Sequence, residues 1–142
     1  MTDLLRDGPK SARLRLVLAH GAGAGMESPF MRDVARGLAA LGVHVVRFEF
    51  PYMARRRSAG KARAAPDRAP VLLESYREVV AQLKRPETLF IGGKSMGGRM
   101  ASMVADELGV RGLVCLGYPF HPPGKPAQTR TEHLKALETR AL

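Results

Sequence analysis

A chain of 142 residues, 45% of them hydrophobic, suits one domain with a real core, which excludes the disordered and fibrous classes. Its formal charge of +10 raises nucleic-acid binding as a function class. Much of that charge is local, in Arg55, Arg56, Arg57, Lys61, Arg63 and Arg68, and no helix-turn-helix, zinc or RNA-binding signature accompanies it, so no nucleic-acid partner is expected.

In chain order, Leu14 to Ala19 is the first predicted strand and ends at His20-Gly21-Ala22-Gly23-Ala24-Gly25. Ser28 caps a helix with Pro29 at its first position, whose stripe of Phe30, Val34, Leu38 and Leu41 is closed by Gly42. Val43 to Phe48 is the second strand. Glu49 to Ala69 follows as a long connection rich in Arg, Gly, Ala and Pro, and Pro70 opens a helix running to about Lys84. Thr88 to Gly92 is the third strand, Met96 to about Leu108 a helix, and Arg111 to Leu116 the fourth strand. Apolar strands alternating with helices predict a three-layer αβα sandwich around a mostly parallel sheet, a single domain over residues 1–142. In such a sheet every loop after a strand emerges at one carboxyl edge, so the glycine loop, the basic connection and the turn after the third strand are neighbours.

That turn carries the chemistry. Leu89-Phe90-Ile91-Gly92 runs into Gly93-Lys94-Ser95-Met96-Gly97-Gly98 and then a helix, which is the layout of a nucleophile elbow. The Ser95 backbone would be strained and its hydroxyl lifted off the sheet, with Gly93 and Gly97 filling positions where strand and helix approach closely. The Met96 N–H would face a developing oxyanion, and the Ala22 N–H of the glycine loop would supply a second donor. Two competing readings fail on spacing. A phosphate loop ending at Gly93-Lys94-Ser95 needs glycine at position 88, which is Thr88, and a dinucleotide fingerprint starting at Gly21 needs glycine at position 26, which is Met26, with Glu49 later than the usual acid.

The pairing of Ala19-His20-Gly21-Ala22-Gly23-Ala24-Gly25 with Gly92-Gly93-Lys94-Ser95-Met96-Gly97-Gly98-Arg99 resembles the alpha/beta-hydrolase superfamily, and within it the small dienelactone-hydrolase-like bacterial branch. Phe50-Pro51-Tyr52-Met53 and the stretch from Gly117-Tyr118-Pro119-Phe120-His121 to Pro126 look like the same branch. The resemblance implies about four strands in the order 2-1-3-4, central to a sheet that has further strands on both sides in the family. It also implies an esterase-like serine hydrolase acting on an ester or related acyl bond of a small substrate, with Ser95 as nucleophile and no cofactor or metal. The alternative is a catalytically inactive domain or fragment of that fold that binds a partner or an anionic ligand.

The family's triad runs serine, acid, histidine, the last two following strands beyond this chain's fourth; the chain ends first and is expected to be C-terminally truncated relative to the family. His121, after the fourth strand, is the best stand-in for the base; His133 lies further along, His44 at the opposite edge, and His20 is expected to shape the glycine loop. Asp106 and Glu132 are the nearby acids, and neither is assigned. Arg56 and Arg57 are candidate substrate-binding residues, holding a carboxylate or phosphate near Ser95. The outer edge of the fourth strand is expected to be unpaired and its apolar face uncovered, inviting a homodimer or a complementing chain. No apolar stretch has signal-peptide or membrane-spanning length, so a cytoplasmic location without membrane contact is expected, and the single cysteine, Cys115, excludes a disulfide framework.

Overall fold

A computed structural model describes residues 2–60 and 65–142. Five strands form one sheet: β1 (Leu4–Asp7), β2 (Arg15–Ala19), β3 (His44–Phe48), β4 (Leu89–Lys94) and β5 (Gly112–Leu116), in the order β1-β3-β2-β4-β5. The four predicted strands keep their predicted order and pair in parallel. β1 is an addition. It is only four residues long, pairs antiparallel to β3, and was illegible because such a short run shows no clear alternation.

The pleat divides the core in two, as a parallel sheet buried on both faces requires. Val17, Ala19, Phe48, Leu89, Ile91 and Leu113 point to one face, under α3 (Ala69–Leu83) and α4 (Met96–Leu108). Leu16, Leu18 and Val45 point to the other, under Met31 and Ala35 of α1 (Pro29–Ala40). Phe48, Phe50 and Tyr76 meet edge-on, with centroids 5.1 Å apart for the two phenylalanines and 5.0 Å for Phe48 and Tyr76. The fully buried Tyr76 hydroxyl donates to Gly92 O, so its polar end is satisfied inside the core.

The basic connection is not a loop. Pro51–Ala59 forms α2, with Pro51 in its first turn and Gly60 closing it at φ 64°. Those were the helix signals in the sequence, but only Tyr52 and Met53 are buried, too few to make an apolar stripe. Lys61 and Arg63, also part of the predicted basic segment, lie outside the described residues.

The edge of β5 differs from expectation too. Leu113 N–H donates to Arg140 O at 2.8 Å, Cys115 N–H to Leu142 O at 2.8 Å and Leu142 N–H to Leu113 O at 2.9 Å, so residues 140–142 begin a parallel pairing along that edge. The polar face of α4 guides the tail there. Ser102 Oγ meets His133 Nε2 at 2.8 Å, and one turn later Asp106 accepts from Glu138 N at 2.9 Å and Thr139 N at 2.8 Å. These bonds, the Thr139 hydroxyl first, hold the Asp106 carboxyl below its ordinary range. The apolar face beside the tail stays partly open, as a groove of about 220 Å³ between Leu38, Phe90, Val114 and Leu142.

Candidate active site

Register brings the site together. Ala19 pairs with Phe48 and with Gly93, and Gly93 with Cys115, so the loops after all four parallel strands begin at one level. Ser95 stands at the β4-to-α4 turn with φ 50° and ψ −112°. A non-glycine residue in that region costs roughly 1–3 kcal/mol, held only where its surroundings over-determine it. Here they do. Ser95 N–H donates to Leu116 O at 3.1 Å and Arg99 N–H to Ser95 O at 3.0 Å, clamping the residue between β5 and the first turn of α4.

The glycines on either side are sites of backbone contact. A Cβ on Gly93 would lie 2.5 Å from Ala19 O, and one on Gly97 2.5 Å from His20 O and 2.6 Å from Ala19 O. The elbow and the start of the glycine loop are therefore packed backbone to backbone, which only glycine permits.

The glycine loop is held from its far side by α2 and by the residues before it. His20 is fully buried; its Nδ1–H donates to Gly21 O at 2.6 Å, while its Nε2 accepts from Phe50 N–H at 3.1 Å. One nitrogen must donate and the other accept, so the ring is neutral, and burial pulls its pKa below the ordinary value. Tyr52 donates its hydroxyl to Ala22 O at 2.9 Å, and burial raises its pKa to about 12. Glu49 is buried at the end of β3, accepting Met26 N–H at 3.2 Å and pairing with Arg57 Nε at 2.8 Å. This use of Glu49, and its contact with the space beside Gly25, leave it no role at a ribose.

The predicted site residues divide accordingly. Ser95 and Met96 lie on the elbow and Ala22 on the loop packed against it. Arg56 and Arg57 lie on α2, where Arg56 contacts Gly23 O at 3.4 Å and sits over the Tyr52 ring, 5.6 Å from its centroid. Together they line a cavity of about 440 Å³ with Gly23, Gly25, Ser28 and Glu49; Ser95 is not among its described walls. His121 is exposed, its Nδ1 meeting Pro122 O at 2.9 Å. Among the described residues the Ser95 hydroxyl makes no hydrogen bond to a histidine or an acid.

A different serine does meet a histidine. Ser102 donates to Arg99 O at 2.6 Å, so its proton is engaged and His133 Nε2 must be the donor of the 2.8 Å contact to Ser102 Oγ. That polarity is the reverse of nucleophile activation, and the pair ties down the tail. No three His, Cys, Asp or Glu side chains converge to hold a metal among the described residues, and none of their helices is long and apolar enough to cross a membrane.

Sequence reasoning missed Tyr52 and the docking role of Asp106. Tyr52 carried a signal, a tyrosine just after Pro51 at a predicted carboxyl edge; Asp106 looks like an ordinary polar position on a helix.

Comparison with known proteins gives this geometry its context. The family model described as an alpha/beta hydrolase domain matches residues 12–142. Among solved structures, an alpha-beta serine hydrolase homologue from Coxiella burnetii superposes with TM-score 0.67 at 20% identity, over 97% of this chain and 64% of that one. A dienelactone hydrolase from Anabaena variabilis gives 0.66 at 23%, over 81% and 56%, and an a/b serine hydrolase without lid from Xanthomonas campestris 0.65 at 21%, over 98% and 75%. At these identities the likeness is one of fold, and this chain spans less than two thirds of the first two proteins' length. By the match of nearly its whole length to that family, carried on a serine elbow backed by a glycine loop, the chain belongs to the alpha/beta hydrolases.

Proposed function

We propose that this protein is a serine hydrolase that cleaves an ester or related acyl bond of a small substrate, with Ser95 as nucleophile. The observation that carries the reading is the left-handed Ser95 backbone at the strand-to-helix turn, clamped by Leu116 O and backed by glycines. The strained backbone of Ser95 costs stability, and on a strand-to-helix turn it is the geometry that exposes a nucleophilic hydroxyl for attack on an acyl carbon. The Met96 N–H, at the start of α4, and the Ala22 N–H are the oxyanion donors in this reading. Met96 lies where the helix dipole favours negative charge. His20 and Tyr52 are positioning residues, since they hold the carbonyls of Gly21 and Ala22 and so set where the Ala22 N–H points. Arg56 and Arg57 act likewise, through Gly23 O and Glu49.

The base in this reading is His121. Of the other three histidines, His20 has both ring nitrogens bonded, His133 has its Nε2 on Ser102, and His44 begins β3, at the sheet edge opposite Ser95. With its Nδ1–H on Pro122 O, the His121 ring presents Nε2 as its acceptor. A second reading, a binding domain without turnover, is favoured by the absence of a hydrogen bond from Ser95 to any base among the described residues. Hydrolysis of a short p-nitrophenyl ester separates the two. Turnover abolished by Ser95→Ala and lowered at least a hundredfold by His121→Ala is the expected result. Equal background rates in all three proteins would leave the binding domain.

A further inference from the structure

The two faces of the sheet are covered unequally. α3 and α4 lie over one; among the described elements the other carries α1 alone, packed on Leu16, Leu18 and Val45. Beyond α1 the apolar surface runs on across β4 and β5, where Phe90, Val114 and Leu116 turn to this side and stay only partly buried. Ala141 pairs with Leu113, which sets Leu142 beside Val114 on the same face, 89% exposed. The groove of about 220 Å³ lies here, and Arg15 is the one polar residue in its walls.

The width of this strip fits a helix. Strands lie ~4.8 Å apart, so β4, β5 and the paired tail leave a trough on the order of 10 Å across, against about 10–12 Å for a helix with its side chains. The five residues of β5 span ~16 Å, the length of about eleven helical residues. The charges around the trough select the kind of helix. Arg15 is held by Leu83 O at 3.1 Å and Thr88 Oγ1 at 2.8 Å, neutral partners that leave its charge whole. Arg111 sits over the Phe90 ring, 5.7 Å from its centroid, and the ring itself lies against Gly112, where a Cβ would come within 2.6 Å of it. Arg140 is exposed and shares the face of Leu142, two residues along the tail. None of these three arginines belongs to an ion pair among the described residues. A second copy would bring the same arginines and the same formal charge of +10 to the contact, and like charges set against each other oppose docking.

We propose that this groove receives an amphipathic helix of a partner protein, with its apolar stripe on Phe90, Val114 and Leu142 and acidic flanks towards Arg111 and Arg140. The probe is a fluorescent peptide of about fifteen residues with leucine at i, i+3, i+4 and i+7 and glutamate beside them, compared with the same peptide carrying lysine for glutamate. Anisotropy against the full chain should show saturable binding of the acidic peptide, at least tenfold tighter than the basic one. Leu142→Glu and Arg111→Glu should each weaken the acidic peptide at least tenfold, and Arg111→Glu should bind the basic peptide better than the wild type does. Arg77→Met, on α3 across the sheet, should leave both affinities unchanged. A gain with the basic peptide cannot come from a poorly folded variant, and Leu142 is too exposed to bear on folding. No binding of the acidic peptide, equal binding of the two, or binding indifferent to Leu142→Glu would overturn the proposal. So would sedimentation of the chain alone as a dimer that Leu142→Glu dissociates, because the groove would then hold a second copy.

Discussion

Gly97→Ala is expected to unfold at a temperature roughly 10 °C or more below the wild type, corresponding to about 3 kcal/mol. The added methyl would sit 2.5 Å from His20 O and 2.6 Å from Ala19 O, both backbone atoms at the end of the central strand β2. No rotamer change relieves such a clash; α4 would have to move off the sheet, taking with it the packing of Met100, Ala101 and Val104. The same substitution at Gly37 should do the opposite. Gly37 lies within α1, and a Cβ there would meet nothing within 4 Å, so alanine removes unfolded-state freedom and should stabilise by about 0.5–1 kcal/mol. Thermal unfolding of the two variants side by side checks both signs. A Gly97→Ala variant as stable as the wild type would mean that the elbow is not closely packed on β2.

His20→Ala is expected to lower stability by about 3 kcal/mol and to change its dependence on pH. Removing the ring empties a fully buried site and strips the acceptor from Phe50 N–H and the donor from Gly21 O; an unsatisfied buried group costs about 1–3 kcal/mol. The pH effect follows from the depressed pKa. Near the ordinary value of 6.5 the unfolded chain takes up a proton that the native ring refuses, so stability falls as pH drops below that value and levels off once the native pKa is passed. His133 is shifted in the same direction, by burial first and Arg99 second. His20→Ala should therefore reduce the acid-side slope, and a further His133→Gln should reduce it again. Urea unfolding at a series of pH values between 5 and 8 reads this directly. A slope unchanged in His20→Ala would contradict a neutral, doubly bonded ring.

What could be read from the chain follows from where each contact lies in sequence. The elbow was legible because all its determinants are local: Gly93, Ser95, Gly97 and Gly98 occupy closely spaced turn positions, and the strand before them and helix after them show their own periods. The strand order was carried by the family resemblance, and the structure keeps it. α2 was illegible because only Tyr52 and Met53 give it apolar inward contacts and its arginines make polar ones. Arg56 and Arg57 look like a solvated run until Glu49 and Gly23 O are known to lie against them, contacts that span 8 and 33 positions. The polar face of α4 hides a second fact of the same kind. Ser102 and Asp106 look like surface residues, yet they dock a tail 31 to 33 positions later, and that docking lays residues 140–142 along an edge that local reasoning left bare. His20 lay between these cases. Its place before the glycine loop suggested a shaping role, but its second partner, Phe50 N–H, comes from the next strand's end.

Activation of Ser95 as a nucleophile is tested most directly by intact-mass spectrometry after incubation with a fluorophosphonate probe, run beside Ser95→Ala. A single adduct on the wild-type chain that is absent from Ser95→Ala is the predicted result, with His121→Ala reacting at least a hundredfold more slowly. An unmodified mass on a protein that unfolds cooperatively would contradict this activation, leaving the strained elbow as the framework of a binding domain.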